Sequence, residues 1–231
     1  MSNGFVDSHC HILPGIDDGA KDEMVSLDIA SNLLSLGFST VIATPHYYNH
    51  SESLEDFLAK RNSAFEKVNF PENLNVILAA EVAIEEGMSK KCDLSKLAIQ
   101  NTNKILVEFP MKKYSARLAE ELFDIKVRHG LVPIVAHFER YESLFSKEDY
   151  SDILSLDDLI FQVSLFSLAK MGHRKFFKSL YNADVEIVTG TDAHKTDFRI
   201  CDSEKGIKKL SKFVDESDYE KILRCDALGL K

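Results

Sequence analysis

Short apolar stretches of this chain alternate with longer stretches in which apolar residues recur every three or four positions. The short stretches are nearly continuous in apolar residues, which is typical of strands buried on both faces of a parallel sheet. Seven such strands are predicted, at residues 5–11, 39–46, 75–84, 104–109, 132–137, 159–164 and 185–192. Each is followed by a helical or loop connection, so the pattern predicts repeated strand–helix units.

The connections carry the signals of helices. Asp22 and Glu23 open the first helix, where acidic side chains favour the positive end of the helix dipole, and Gly37 ends it. Apolar residues from Leu54 to Val68 form the stripe of a second helix. Further helical segments are predicted at residues 115–129, 141–158, 165–182 and 203–223, and a polar link is predicted at residues 89–103.

The regular alternation predicts one α/β domain spanning residues 1–231. The sequence shows no linker, repeat or shift in composition that would divide it. Strand–helix units that close on themselves form a TIM-like (β/α)7 barrel, and an open doubly wound sheet is the alternative. With 231 residues, of which 45% are hydrophobic, the chain is long enough to bury one substantial core.

Charge and hydropathy narrow the possible functions. The formal net charge of −9 argues against a general nucleic-acid binder, which is normally basic or carries a basic stripe. The sequence contains no apolar run of about 18 residues, so direct membrane insertion is not predicted. No basic segment leads into an apolar one at the N-terminus. We therefore predict no secretory signal and a cytoplasmic location.

The four cysteines are scattered without Cys-x-x-Cys spacing, and we interpret them as reduced thiols. They are Cys10, Cys92, Cys201 and Cys225. A cysteine-dependent tyrosine phosphatase needs an arginine six positions after its cysteine. The residues at those positions are Ile16, Ala98, Ile207 and Lys231. A thiolate nucleophile is therefore not expected.

Metal-ligand residue types are concentrated at the ends of the predicted strands. His9 and His11 alternate along the first strand, so both point to one face and Cys10 points to the other. The other candidates are His46, Glu81, Glu108, His137, Asp192 and His194, with Asp17 or Asp18 from the first loop. In a β/α barrel these strand ends meet at the active site. The remaining histidines, His50, His129 and His173, are interpreted as structural.

This ligand set predicts two or three bound metal ions. Glu81 and Glu108 each follow an apolar run and would be costly to bury without compensating charge. Carboxylate and imidazole ligands without thiolate suit manganese, iron or zinc in a catalytic site. Such a cluster polarises a phosphoryl or carbonyl oxygen and supplies hydroxide at neutral pH.

Two arginines favour a phosphoryl substrate. Arg140 lies three residues after His137, and Arg199 lies seven residues after Asp192. Both are predicted in loops on the same rim, where a guanidinium can bind phosphate through two hydrogen bonds.

These residues together resemble the PHP (polymerase and histidinol phosphatase) superfamily. The matching motifs are Asp7-Ser8-His9-Cys10-His11, Asp17-Asp18-Gly19, Thr44-Pro45-His46, the Glu81 and Glu108 strands, His137-Phe138-Glu139-Arg140 and Thr191-Asp192-Ala193-His194. Within it, the chain is most similar to the bacterial manganese-dependent protein-tyrosine phosphatases of capsule and exopolysaccharide systems. The resemblance implies a distorted seven-stranded barrel with three divalent ions, and phosphotyrosine as the substrate. It also implies a partner, the tyrosine-rich tail of a bacterial kinase that controls polysaccharide export.

The resemblance also implies how the ligands divide among the ions. One ion would be held by His9, His11, Glu81 and Asp192. Glu81 would bridge to a second ion, completed by Glu108 and His137. The third would be held by Asp18, His46 and His194, since the family spacing selects Asp18 over Asp17. Arg140 and Arg199 match the phosphate-binding arginines, and His46 or a metal-bound water is a possible acid. Phe138 replaces the usual proline, and Ser164 is also less usual.

Other functions fit parts of the same pattern. A histidinol-phosphate phosphatase would use the same metals on a small substrate. A TatD-type nuclease would share Asp7-Ser8-His9-Cys10-His11, but its usual final Glu-Thr-Asp is replaced here by Thr191-Asp192-Ala193-His194. A metal-binding interaction module without turnover is the non-enzymatic alternative.

Overall fold

Parallel strands dominate the computed structural model, which describes residues 4–170 and 172–230. The strands are β1 (Phe5–Cys10), β2 (Phe38–Ala43), β3 (His46–Tyr47), β4 (Asn75–Leu78), β5 (Glu81–Ala83), β6 (Lys104–Glu108), β7 (Val132–Val135), β8 (Ile160–Ser164) and β9 (Glu186–Gly190). They form a three-stranded sheet in the order β1-β2-β4 and a six-stranded sheet in the order β3-β5-β6-β7-β8-β9. Every paired neighbour is parallel.

The two sheets are continuous along the chain. Strand β2 runs into β3 across a two-residue break, and β4 runs into β5 in the same way. Backbone hydrogen bonds cross both breaks: Ala79 N donates to Ala43 O at 2.9 Å, and Glu81 N donates to Pro45 O at 3.0 Å. The nine strands therefore correspond to the seven predicted ones, of which the second and third are interrupted.

The first and last strands meet beyond their C-terminal ends. Asp192 N donates to His9 O at 2.7 Å, and His11 N donates to Ala193 O at 2.9 Å. Sequential strand order and this junction give a barrel-like ring that is joined by a short bridge between Cys10 and Ala193. The predicted α/β fold of distorted barrel type is confirmed. An open doubly wound sheet, whose strand order reverses at a switch point, is not what forms.

Eight α-helices occur in the described parts of the chain. They are α1 (Glu23–Ser35), α2 (Leu54–Glu66), α3 (Ala116–His129), α4 (Lys147–Leu154), α5 (Leu165–Leu168), α6 (His173–Tyr181), α7 (Phe198–Leu210) and α8 (Glu216–Leu223). The predicted start of α1 is confirmed, since the Asp22 side chain accepts from Val25 N, and α3 ends at Gly130, whose φ of 65° suits glycine. The described helices include none that is long and apolar enough to cross a bilayer.

Several predicted boundaries are wrong. Residues 165–182 form two helices rather than one, and Gly172, a poor helix former, precedes the second. Helix α7 begins five residues before position 203, because the Asp197 side chain accepts from Arg199 N and caps it there. The polar link contains two 3₁₀ helices, Met88–Lys90 and Leu94–Leu97. Two more, Phe138–Ser143 and Asp226–Leu228, lie outside it.

An apolar layer fills the inside of the ring below the strand ends. Its buried members are Val6, Ile42, Ala79, Ile99, Leu106, Ile134, Ala136, Ile160, Val188, Cys225 and Leu228. A larger apolar cluster packs the helices against the outside of the strands. Because apolar side chains fill the inside of the ring, the polar residues at one end of the ring are not needed to form this core.

Helix α5 packs on α7 so closely that Gly206 has no space for a side chain. A Cβ added there would lie 1.9 Å from Leu165 O. Gly206→Ala is expected to lower the free energy of unfolding by about 1–3 kcal/mol, since the backbone must move. Urea unfolding followed by circular dichroism measures this. Gly172→Ala, with open space around the new Cβ, is the control and should change stability by less than about 1 kcal/mol. Equal midpoints for the two variants would contradict the close packing.

Candidate metal centre

The nine predicted ligands lie together where the strands end. His9 and His11 come from the end of β1, and Asp18 comes from the loop that follows. The breaks after β2 and β4 are followed directly by His46 and Glu81, the first residues of β3 and β5. The remaining ligands end β6 or follow β7 and β9; they are Glu108, His137, Asp192 and His194. Every strand of the ring except β8 therefore contains at least one of them or leads into one.

Glu81 lies at the centre of the cluster and is only 1% exposed. Its Oε2 is 3.1 Å from His9 Nε2, 3.2 Å from His11 Nε2 and 3.1 Å from His46 Nδ1. Its Oε1 is 3.0 Å from His137 Nε2. One buried carboxylate thus faces four imidazoles, two from the end of β1, one from β3 and one from the segment after β7.

The other carboxylates extend the cluster in three directions. Asp192 Oδ1 is 3.6 Å from the Nε2 atoms of both His9 and His11. Glu108 Oε1 is 3.3 Å from His137 Nε2. Asp18 Oδ1 is 3.3 Å from His194 Nε2 and 3.5 Å from His46 Nε2.

The groups overlap, so the division of ligands among individual ions stays a prediction. Potential ligand atoms of His46, Glu81 and Glu108 lie within 4.8 Å of one another. The same holds for His11 together with Asp18, His46 and His194. His11 and His46 can each belong to more than one group.

The donor set fits divalent metal ions. Ligands at about 2.0–2.2 Å from one ion lie roughly 3–4.4 Å apart, which matches the distances above. The Nε2 atoms of His9 and His11 lie 3.1 Å from each other and face the same carboxylate. Glu81 Oε2, despite its three imidazole neighbours, has no hydrogen-bond partner among the described residues. A cation between these atoms would satisfy all of them.

The electrostatics also favour a cation. Burial lowers the pKa of His11, but hydrogen bonds to Asp17 and Glu81 raise it to about 10. Burial likewise opposes the charge of His137, yet Glu108 and Glu81 raise its pKa to about 9. Burial would raise the pKa of Glu81, but the surrounding histidines hold it well below its usual range. The carboxylates therefore attract positive charge to the points where the imidazole nitrogens converge.

Asp17 and Asp18 have different positions. Asp17 Oδ2 lies 2.7 Å from His11 Nδ1 and accepts from His46 N at 3.0 Å, while its Oδ1 accepts from Gly19 N at 2.9 Å. Asp17 therefore orients His11 from behind, leaving Nε2 to face the cluster. Asp18 instead points its carboxylate at His46 and His194, and its selection as the ligand stays a prediction.

Two supporting residues were not assigned a role from the sequence. Gln162 Oε1 accepts from His137 N at 2.5 Å and lies 3.2 Å from His9 Nδ1. Asp7 accepts from Thr191 N at 2.8 Å and from His9 N at 3.2 Å, and burial raises its pKa to about 6. Both are polar side chains at fully buried strand positions, and for Gln162 the apolar residues on either side, Phe161 and Val163, are the signal that would have found it.

Both predicted phosphate-binding arginines reach the cluster, but neither lies in a loop as predicted. Arg140 is in the 3₁₀ helix Phe138–Ser143, and Arg199 is in the first turn of α7, which the Asp197 side chain caps. The Arg140 guanidinium contacts the Asp192 carboxylate. Arg199 Nη1 donates to Asp192 O at 2.6 Å and also contacts the His194 ring. Both side chains are partly exposed, whereas Asp192 is buried, so the arginines lie on the open side of the cluster.

The other predicted residues lie outside the cluster. His50 pairs with Glu85, His129 bonds to Ser89 O, and His173 lies beside Glu142. Cys10 Sγ donates to Ala193 O at 3.7 Å, on the opposite side of β1 from His9 and His11. Phe138 begins the 3₁₀ helix that contains Arg140. Its side chain is fully buried, with its ring 4.6 Å from that of Phe161, so it packs in the core and does not line the open side of the cluster.

Known proteins resemble this chain over most of its length. The tyrosine-protein phosphatase YwqE of Bacillus subtilis is 30% identical over 228 residues, which cover 93% of this chain and 87% of that protein. The tyrosine-protein phosphatase CpsB of Streptococcus agalactiae is 29% identical over 157 residues, or 66% of this chain and 64% of that protein.

A solved structure has the same fold. It is described among the crystal structures of YwqE from Bacillus subtilis and CpsB from Streptococcus pneumoniae, unique metal-dependent tyrosine phosphatases. It superposes with a TM-score of 0.72 at 26% identity, covering 95% of this chain and 94% of that one. Residues 5–229 match the family model for capsular polysaccharide synthesis, CpsB/CapC. The chain therefore belongs to the CpsB/CapC family of capsular polysaccharide synthesis.

Proposed function

We propose that this protein is a metal-dependent protein-tyrosine phosphatase, a phosphoric monoester hydrolase acting on phosphotyrosine in another protein. The observation that carries the proposal is the convergence of nine nitrogen and oxygen ligands with two arginines on one open pocket. Relatives named tyrosine-protein phosphatases, 30% identical in one case, support the choice of substrate.

Three divalent ions, with manganese preferred over iron or zinc, would occupy the cluster. They would be held by His9, His11, Asp18, His46, Glu81, Glu108, His137, Asp192 and His194. When bound, such ions polarise phosphoryl oxygens and supply hydroxide at neutral pH. Asp17 and Gln162 fix the ring orientations of His11 and His9, which keeps the Nε2 atoms directed at the ions.

The arginines act on the charge that develops on the phosphoryl group. Arg140 projects from the 3₁₀ helix after β7 and Arg199 from the first turn of α7, both toward Asp192, so their guanidinium groups can bind phosphoryl oxygens from one side. Because they are already in place, they stabilise the transition state without reorganising. The leaving tyrosinate, whose conjugate acid has a pKa of about 10, needs little protonation to depart.

His46 is better supported as a metal ligand than as a proton donor. Its Nδ1 lies 3.1 Å from Glu81 Oε2, and its Nε2 lies 3.5 Å from Asp18 Oδ1. Both ring nitrogens thus face carboxylates of the cluster. Of the two acids considered, a metal-bound water would then be the one that assists the leaving group.

The proposed substrate is the tyrosine-rich tail of a bacterial kinase that controls polysaccharide export. The two proteins would meet in the cytoplasm. Membership in a capsular polysaccharide synthesis family supports this partner. The decisive assay compares a phosphotyrosine peptide, histidinol phosphate and DNA, with metal analysis of the same preparation. Preference for histidinol phosphate or DNA would replace the proposal with one of those activities. Metal binding without turnover would indicate an interaction module.

Removal of metal should abolish activity. Strong chelators, or acid that protonates the ligand imidazoles, should strip the ions together with phosphatase activity. His9→Ala should lower metal content while leaving the fold intact, since the core inside the ring is apolar. Elemental analysis and circular dichroism measure the two effects. Full activity in chelated, metal-free protein would rule out the metal centre.

Cys10 should be dispensable for turnover. Its thiol faces away from His9 and His11, and burial raises its pKa well above the usual value, which disfavours a nucleophilic thiolate. Cys10→Ser should therefore retain most activity, whereas His11→Ala, its matched comparison on the other face of β1, should lose it. Steady-state rates on a phosphotyrosine peptide measure both. Comparable losses in the two variants would point to a thiol mechanism.

Arg140 should contribute mainly to the transition state. Loss of one preorganised donor typically lowers kcat by about 10²–10³, or roughly 2.7–4 kcal/mol, and Arg140→Ala should fall near this range with metal content unchanged. Arg140→Lys should recover part of it, because an ammonium lacks the guanidinium geometry. Arg199→Ala should reduce activity less than Arg140→Ala, and its effect should appear more in KM than in kcat. Normal turnover by Arg140→Ala would show that the loop after β7 does not bind phosphate.

A further inference from the structure

The cluster is closed at its base and open at one side. The side chains of His9 and His11 are fully buried. By contrast, the side chain of His46 is 17% exposed and that of Asp18 is 72% exposed. Together with the partly exposed arginines, these residues outline a mouth through which a phosphoryl group must enter.

An aromatic side chain stands at this mouth without a partner in the core. Tyr48 follows β3 and is 37% exposed, and its ring centroid lies 5.5 Å from that of His46 at an interplanar angle of 30°. The preceding Tyr47 is fully buried against Phe57, as expected when neighbouring side chains point to opposite faces of a strand. Tyr48 therefore projects on the ligand side of β3.

The backbone of Tyr48 is held firmly although its ring is exposed. Its carbonyl accepts from Ser51 N and Ser51 Oγ, both at 3.0 Å, and from Glu52 N at 3.3 Å. Among the described residues, the Tyr48 hydroxyl has no hydrogen-bond partner. The Tyr48 ring also lies 6.0 Å from that of His50, edge-on, so two imidazoles flank the ring while 37% of the residue stays exposed. An exposed ring placed in this way is suited to contact a ligand at the mouth.

We propose that Tyr48 forms an aromatic wall against which the phenyl ring of a bound aryl phosphate packs, so that the pocket prefers aryl over alkyl phosphates. The inference rests on the proposed function and adds a residue that determines substrate class. A phosphoryl group held beside His46 carries its ester substituent outward past Tyr48. A flat ring there gains an aromatic contact and excludes water from both rings, whereas a short alkyl chain does not.

Phe198, another exposed aromatic close to the site, is less suited to this role. Its ring packs edge-on against Phe166 at 5.7 Å, and Lys170 Nζ lies 5.8 Å from its centroid. The Phe198 ring thus packs on Phe166 of α5, whereas the Tyr48 ring lies beside His46 of the cluster. Phe123 serves as a remote control, because it is an exposed aromatic of α3 beside Pro133, near the start of β7 and away from the strand ends.

The test uses ligands that cannot be hydrolysed. Calorimetry on the full-length, Mn²⁺-loaded protein gives dissociation constants for phenylphosphonate and methylphosphonate, with metal content measured in each sample. The wild type should bind phenylphosphonate more tightly. Tyr48→Ala should reduce this preference by about two- to tenfold, as expected for the loss of one aromatic contact. Tyr48→Phe and Phe123→Ala should retain it.

Several results would contradict the proposed role of Tyr48 as an aromatic wall. These are equal or absent binding of the two phosphonates by the wild type, an unchanged preference in Tyr48→Ala, or a parallel loss of affinity for both ligands. Loss of the preference in Tyr48→Phe would assign recognition to the hydroxyl instead of the ring. The binding assay needs no turnover, so the two proposals are tested separately. Failure of the wild type to hydrolyse a phosphotyrosine peptide would reject the proposed function. The preference for phenylphosphonate, and its dependence on Tyr48, would still show whether Tyr48 forms the aromatic wall.

Discussion

The buried carboxylate of Glu81 is the constraint on which the site depends. An ionised group with almost no exposure is strongly destabilising unless positive charge compensates it. Four imidazoles from three different strand ends meet it at 3.0–3.2 Å. The interruption between β4 and β5 places Glu81 there, and Arg61 Nη1 of helix α2 holds that interruption by donating to Ala79 O at 2.9 Å.

The contacts that join the ends of the ring also orient the ligands. Asp7 of β1 accepts from Thr191 after β9, through both its backbone N–H and its hydroxyl, and from His9 N. Asp192 N donates to His9 O in the same junction. The closure of the barrel-like ring of strands therefore sets the position of the His9 imidazole relative to Asp192. Disturbing the junction would displace ligands of the cluster without removing any of them.

The arrangement separates a buried part of the cluster from an exposed side. His9, His11 and Glu81 are buried at the base, whereas the arginines and Tyr48 lie on the open side. Under the proposed function, cations would bind at the base and the phosphoryl group would enter from the open side. The polar cluster lies at the end of a ring whose inside is otherwise apolar.

Local patterns in the sequence determined a large part of this picture. Continuous apolar runs marked seven strand segments, because buried parallel strands need apolar side chains on both faces. Alternation alone put His9 and His11 on one face of β1 and Cys10 on the other. The ligand residue types were visible at the strand ends, and their order along the chain was specific enough to indicate the family.

Tertiary structure decided what depends on distant contacts. The breaks in the second and third strands are stabilised by hydrogen bonds between segments, such as Ala79 N to Ala43 O, that no local pattern records. The split of residues 165–182 accompanies the close approach of Gly206 to Leu165. Asp17 and Asp18 are chemically identical neighbours, and only the fold turns one behind His11 and the other toward His194. Sequence determines which side chains are available, but their direction follows from the packing of segments far apart in the chain.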